Sequence, residues 1–513
     1  MLLVHEFLEH SAQRLPLKVA LVCGGQRFTY AALDAASNRV ANALRAKGVQ
    51  RGDRVVLWGP NLAEMVIAIF AVLKAGAVFV FVNDASKPHQ LAQVVDNCGG
   101  KVLVTTAAKA RHAAAELATL GTLELVVVVG GEEPPPASPR FLEWSQCLEH
   151  AEAGPLASGC IDRDLACLIY TSGSTGEAKG VMCAHHQVVF ASASILAYLH
   201  GTEHDVVLCA LPLAFDYGLY QLLMTFRSGG TLVLERSFAY PADCLQRMAE
   251  ERVTGFPGVP TMFARLLPLD LSSYDLSALR YLTNTAAALP TSHIERLQQK
   301  FPGVAIYSMY GLTETKRTLY LPPEELGQRP GSVGIAIPGT EVWIENDRGE
   351  RLPPHEVGEL VVRGGHVMNG YWHAPEATAA RFREGPLPGE RVCYSGDLFR
   401  RDEHGFHYFV GRKDDILKCR GEKVAPKEVE NVLHELEGVQ EAVVVGVPDE
   451  VFGQAVVAVI VRTAPTLTER EVLRHCRARL EDFKVPQRVE FHDDLPKTST
   501  GKVRRADIVL RGG

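Results

Sequence analysis

The stretch YTSGSTGEAKGVM at residues 170–182 is built to hold an anion, with three glycines, four Ser/Thr hydroxyls and one lysine in a short span. Glycines let backbone N–H groups come close to a phosphate, hydroxyls add donors, and a lysine adds a mobile positive charge. The commonest cradle of this kind is the P-loop, which needs the spacing G-x-x-x-x-G-K-[ST]. Here Lys179 lies three residues after Gly176 and is followed by Gly180, so that motif is absent. The same composition also suits a plain flexible connection, and the loop alone does not decide between the two.

The elements around the loop suggest an α/β protein. Residues 54–58, 77–82, 101–105 and 125–129 read as short apolar strands, and 62–75 and 88–97 as the helices between them. Fully apolar strands separated by helices imply mostly parallel sheets covered by helices on both faces. The run 132–136, EEPPP, reads as an exposed loop. From 331 to 409 glycine, proline and short β-type runs such as GELVVRG at 358–364 predict a smaller, more antiparallel β unit. A charged segment, GRKDD at 411–415, precedes a compact α+β pattern. In it Pro426 opens a helix to Leu436 at the position where a missing N–H costs little. Strands follow at 442–447 and 455–461, and Thr468 with Glu471 forms a capping box for a helix to about Leu480. The expected organisation is a large N-terminal domain over 1–411 and a small mobile α+β domain over 412–513.

At 513 residues two or more domains are expected. A formal charge of −7 gives no reason to expect nucleic acid or an anionic membrane as partner. The eleven cysteines include no C-x-x-C pair and no zinc-type cluster, which predicts a reduced, cytoplasmic chain without structural metal. The start, MLLVHEFLEHSAQRLP, interrupts any signal-peptide core with Glu6, Glu9 and His10. Residues 65–82 are apolar apart from Lys74, whose charge at mid-bilayer would cost about 2.5–3.5 kcal/mol. A buried helix followed by a strand is the expected reading, with no membrane span.

Four further stretches fall in order along the chain: YGLTET at 310–315, YSGD at 394–397, GRKDD at 411–415 and PKTSTGK at 496–502. With the loop at 170–182 they closely resemble the adenylate-forming (AMP-binding) superfamily over essentially the whole chain. That superfamily includes acyl- and aryl-CoA ligases, luciferases and nonribosomal-peptide adenylation domains. The resemblance implies an AMP-forming acid–thiol ligase. A carboxylate attacks the α-phosphate of ATP, pyrophosphate leaves, and a pantetheine thiol then displaces AMP from the acyl-adenylate. Two anions must be brought together, which requires charge neutralisation and fixed donors. By resemblance, Thr171, Ser172, Gly173, Ser174, Thr175 and Gly176 with Lys179 hold the β- and γ-phosphates. Thr313 contacts the α-phosphate and Glu314 holds Mg²⁺. Tyr310 packs on adenine, Asp397 accepts both ribose hydroxyls, and Arg412 reaches the nucleotide. Lys502 acts on the α-phosphate and carboxylate during adenylation. Asp414 is the hinge of the small domain, whose rotation brings the face at 418–421 to the site, with Gly421 letting pantetheine pass.

The acid pocket expected by resemblance lies beneath 214–218, 258–262, 284–287 and 309–318. Phe215 stands where an aromatic gate is usual, and Tyr217, Tyr220 and Phe256 argue for a modest cavity. Asp216 is informative, because a buried carboxylate needs a cationic partner. A substrate ammonium would make this a stand-alone amino-acid adenylation enzyme. Internal pairing with Arg317 or Lys316 would leave an acyl or aryl acid as substrate. The acceptor is CoA or the phosphopantetheine of a carrier protein; no fused carrier is expected after residue 513, so a carrier would act in trans. A luciferase-like oxygenase shares all these motifs, and a silent nucleotide-binding relative would be expected to lack Lys502, Glu314 or Asp397.

Overall fold

The computed structural model describes residues 1–130, 141–172, 178–287, 289–419, 422–449, 453–463, 465–497 and 503–510. Among these residues lie three sheets. In the first, Phe141–Glu143, Leu125–Val129, Gly100–Thr106, Arg54–Trp58, Val78–Val82, Leu165–Ser172 and Ala178–Ala184 lie side by side in that order. All neighbours are parallel except the last pair, whose antiparallel register sets Thr171 opposite Lys179. Leu125–Val129 and Val78–Val82 are buried along their whole length, as β-branched and aromatic strands covered on both faces must be. The helix Ala63–Lys74 fills the space beside them, and Lys74 ends it with its ammonium 2.5 Å from the Asp34 carboxylate and 2.7 Å from the Asn38 amide oxygen. That pairing is how a nearly all-apolar helix carries a charge into the core. Among the described residues no helix is long and apolar enough to cross a membrane.

The second sheet runs parallel through Ala305–Tyr310, Tyr281–Asn284, Gly255–Gly258, Val206–Cys209, Thr231–Leu234 and Val19–Cys23. At its other side Leu319–Leu321 pairs antiparallel with Ala305–Tyr310, and Ser332–Ala336, His407–Arg412, Arg391–Arg401, Gly358–Gly364 and Thr340–Glu345 follow in antiparallel succession. The β unit expected over 331–409 is therefore antiparallel but not separate: it continues the parallel sheet edge to edge. The third sheet comprises Leu417–Cys419, Glu422–Val424, Val439–Asp449, Gly453–Arg462 and Arg488–His492. The helices Pro426–His434 and Glu469–Arg477 belong to the same small unit, and their residues Val429, Leu433, Val472 and Cys476 share its core. The capping box is formed: Glu471 N–H donates to Thr468 Oγ1 at 3.4 Å, and Thr468 N–H donates to the Glu471 carboxylate at 2.9 Å. Both helices end a few residues earlier than their apolar periodicity suggests.

Candidate active site

The segment 311–318 is the loop between two antiparallel strands, because Tyr310 stands opposite Leu319 in the register. Its neck is closed by the Thr318 N–H donating to the Tyr310 carbonyl at 2.9 Å, and its far side by the Thr315–Thr318 hydroxyl pair at 2.7 Å. Glycine is required at 311, where a Cβ would run into the Lys316 carbonyl. Lys316 itself takes a left-handed φ of 57°. Such a conformation costs a non-glycine residue about 1–3 kcal/mol and persists where surrounding contacts impose it. The loop thus holds a fixed shape with Thr313 half-buried and Glu314 buried.

Two carboxylates are oriented from this loop and its strand. The Tyr310 hydroxyl donates to Asp397 at 2.6 Å across 87 residues of sequence, uniting the YGLTET and YSGD motifs. Burial, and then the Asp397 charge, push the Tyr310 phenol well above its ordinary pKa, so it remains a donor. Asp397 is also 3.7 Å from the half-exposed guanidinium of Arg412, which stands opposite it in the strand pair. The ring of Tyr310 packs edge-on against Phe399 at 4.8 Å. Glu314 accepts from the Tyr371 hydroxyl at 2.5 Å and lies 4.0 Å from Arg381. Burial opposes the charge of Arg381, but the Glu314 carboxylate holds its pKa above the ordinary arginine value. Tyr371 and Arg381 are site residues that the sequence does not single out. The segment NGYW at 369–372 has no charge or spacing that marks it, and only the fold brings it to Glu314.

The same segment is laced to the strand that leaves the phosphate loop. Met182 N–H donates to the Gly370 carbonyl, Asn369 N–H to the Met182 carbonyl and Trp372 N–H to the Gly180 carbonyl, at 2.9, 3.1 and 2.7 Å. Lys179 Nζ lies 5.7 Å over the Tyr371 ring. Thr171 and Lys179 therefore flank the loop on facing strands, beside the residue that holds Glu314. Gly173, Ser174, Thr175, Gly176, Gly421 and Lys502 lie outside the described residues, as do Arg420 and the run 132–136. Of Ser172 only its place at the end of Leu165–Ser172 is described.

At the acid end, Phe215 caps the helix Asp216–Ser228 and Asp216 is its first residue, 6% exposed. No Asp216–Arg317 ion pair exists among the described residues, which is one of the two internal pairings the sequence allowed. Nor is there an Asp216–Lys316 ion pair among the described residues: Lys316 Nζ is buried without a hydrogen-bond partner, and Asp216 acts on it only as a nearby charge. Burial opposes its charge, but the Cys183 thiol, Asp216 and Cys167 hold its pKa above the ordinary lysine value. Tyr217 donates its hydroxyl to Thr283, and Tyr220 lies beneath Lys316, whose Nζ is 5.9 Å over its ring.

Asp414 is exposed and, among the described residues, has no hydrogen bond or ion pair. Its neighbours on either side are tethered in opposite directions. Lys413 bridges Asp347 at 2.7 Å and Glu359 at 3.2 Å in the large unit. Asp415 accepts from Arg505 at 2.8 Å, and Arg505 reaches Glu430 at 2.6 Å in the small one.

Among the described residues no cluster of three His, Cys, Asp or Glu side chains would hold a metal. Glu314 is then a lone carboxylate with one oxygen engaged by Tyr371 and none of the described residues bonded to the other. It fits a Mg²⁺ that takes its remaining ligands from phosphate and water, as that ion prefers.

Residues 8–372 match the family model described as AMP-binding enzyme, and residues 428–502 match AMP-binding enzyme C-terminal domain. A feruloyl-CoA synthase from an Amycolatopsis species is 35% identical over 511 residues, covering 98% of this chain and 97% of that protein. A long-chain-fatty-acid–CoA ligase of Bacillus subtilis is 31% identical over 534 residues, covering 99% and 94%. Among solved structures, an anthranilate CoA ligase in complex with anthranoyl-AMP superposes with a TM-score of 0.90 at 29% identity, covering 98% of this chain and 95% of that one.

Proposed function

Because the chain belongs to the AMP-binding enzyme family, we propose that it activates an acyl or aryl acid as its adenylate at the site described above and passes the acyl group to CoA. It is an AMP-forming acid–thiol ligase of the acyl- and aryl-CoA ligase group, which uses ATP with Mg²⁺ and takes CoA as co-substrate. The observation that supports the residue assignments is the 2.6 Å contact between Tyr310 and Asp397, which ties the YSGD carboxylate to the residue that opens the loop of Thr313 and Glu314.

In this reading Asp397 receives the ribose hydroxyls, Tyr310 offers its ring face to adenine, and Arg412 adds positive charge at the rim. Thr313 donates to the α-phosphate. Thr171, Ser172, Ser174, Thr175 and the backbone of Gly173 and Gly176, with Lys179, hold the departing phosphates. Glu314, positioned by Tyr371 and Arg381, would hold Mg²⁺, which neutralises phosphate charge when bound. Lys502 is brought in by the small domain, 412–513, turning about Asp414, and a second turn presents Gly421 to pantetheine. The tethers of Lys413 and Asp415 to different units support a pivot between them.

Phe215, Tyr217 and Tyr220 line the acid side. Lys316 is a buried cation near enough to act on Asp216 although it is not paired with it, and a substrate ammonium would add a further cation to this region. This favours an acyl or aryl acid over an amino acid. The named relatives, CoA synthases and ligases, favour CoA over a carrier protein. Acid-dependent exchange of labelled pyrophosphate into ATP, followed by thioester detection with CoA or a pantetheinylated carrier, tests the reading. Firm ATP binding without exchange for any acid would overturn it.

A further inference from the structure

Beside the start of the helix Asp216–Ser228 the protein buries more cation than it neutralises. Lys316 and Arg317 are 1% and 2% exposed. The nearby anionic side chain is Asp216, which acts on Lys316. Arg317 has no carboxylate within 4.0 Å among the described residues, and its Nε and Nη2 are buried without a hydrogen-bond partner. Its guanidinium carbon lies 4.4 Å over the ring of Tyr217. Of the nearby hydroxyls, Tyr217 donates to the Thr283 carbonyl at 2.8 Å and Tyr198 to Met309 Sδ at 2.9 Å, while the Tyr220 hydroxyl is itself buried without a partner among the described residues. Stacking on an aromatic face offsets part of the desolvation of a guanidinium but satisfies none of its N–H groups. A buried, hydrogen-bond-starved charge costs several kcal/mol and is rare in a folded protein unless a ligand completes it.

The two open nitrogens indicate what completes it. Nε and Nη2 lie along one edge of the guanidinium, where their N–H bonds run side by side at the spacing of two carboxylate oxygens. A carboxylate gives each N–H its own charged oxygen, whereas a single hydroxyl or carbonyl oxygen would have to be shared between them. The residue sits three positions after Glu314 in the loop whose shape Gly311 and Lys316 fix, and its partner ring belongs to Tyr217, next to Asp216. Resting on the ligase reading above, we propose that the acid is a dicarboxylic acid, one carboxylate of which is adenylated while the other is held by Arg317 as the specificity-determining residue.

Pyrophosphate exchange over matched pairs of one skeleton, such as hexanoate and adipate, benzoate and isophthalate, or cinnamate and 4-carboxycinnamate, tests this with the wild type and Arg317→Met. In at least one pair the diacid is expected to exceed its monoacid by about 100-fold in kcat/KM, the scale of a charge-assisted bidentate contact. Arg317→Met is expected to collapse that ratio to near unity. The preferred diacid should raise the melting temperature of the wild type and not of the variant, and the ligand-free variant should melt no lower than the wild type. Exchange with equal use of monoacids and diacids, a preference that survives Arg317→Met, or a ligand-free variant that melts well below the wild type overturns the second carboxylate and leaves the ligase reading standing. Absence of exchange with every acid, alongside firm ATP binding, overturns both.

Discussion

At Asp397 the carboxylate accepts the Tyr310 hydroxyl before any ligand arrives, so its orientation is set in advance. Asp397→Asn keeps the shape and an acceptor for Tyr310 but withdraws the charge that the proposed reading offers to the ribose. Loss of one charged hydrogen bond predicts a rise of about 10- to 100-fold in the KM for ATP, measured by pyrophosphate exchange, with little change in melting temperature. Lys502→Ala is expected to lower exchange by at least about 100-fold while largely sparing thioester formation from supplied acyl-adenylate. Equal loss of both half-reactions would sink that division of labour. That the motifs of Tyr310, Glu314 and Asp397 meet was legible, because the proposed chemistry needs one residue type at one spacing. Tyr371 and Arg381 were not. They act on Glu314 through the fold, and a tyrosine or an arginine in a β-rich stretch has too many ordinary uses to stand out. For Asp216 the sequence offered a choice between lysine and arginine, and among the described residues neither makes an ion pair with it.

Among the elements, those read from local signals agree closely with the structure. The strands at 54–58 and 125–129 and the capping box at Thr468 depend on β-branched runs and on one hydrogen-bonded box, both written in consecutive residues. The strand Ala178–Ala184 and the continuity of the antiparallel unit with the parallel sheet depend on pairings between distant segments, which no local pattern encodes. The 3₁₀ turn Lys413–Asp415 has the form expected of the proposed hinge: Asp414, without a bond among the described residues, lies between two residues tied to different units. Proline at 414 would fix its φ and push Lys413 out of helical geometry. Asp414→Pro is therefore expected to leave pyrophosphate exchange within a few-fold and to slow thioester formation by about 100-fold or more. Rapid-quench assays of each half-reaction measure both, and equal slowing of the two would place the pivot elsewhere.

Over the whole molecule, burial holds a set of histidines uncharged. His5, His185, His293, His366 and His407 are pushed down to about 4 and His434 to about 3. The unfolded chain binds protons at these side chains near pH 6.5 and the folded chain does not until about pH 4, so stability falls as pH drops through that window. Each contributes a loss of up to about 1.4 kcal/mol per pH unit. His366 stacks on Phe190, and among the described residues its Nε2 has no hydrogen-bond partner. His366→Gln should make the stability difference between pH 7.5 and 5.5 smaller by about 1 kcal/mol in denaturant unfolding; an unchanged difference would show that His366 titrates alike in both states. One feature of the loop 311–318 reaches beyond this chain. Gly311 cannot change without colliding with the Lys316 carbonyl, while the side chain of Arg317 is the one proposed above to hold the acid. On that reading the loop is split into a half frozen by backbone geometry, which would serve ATP, and a half whose side chains are free to diverge. Descendants of such a protein can drift from one acid to another without disturbing how they handle the nucleotide.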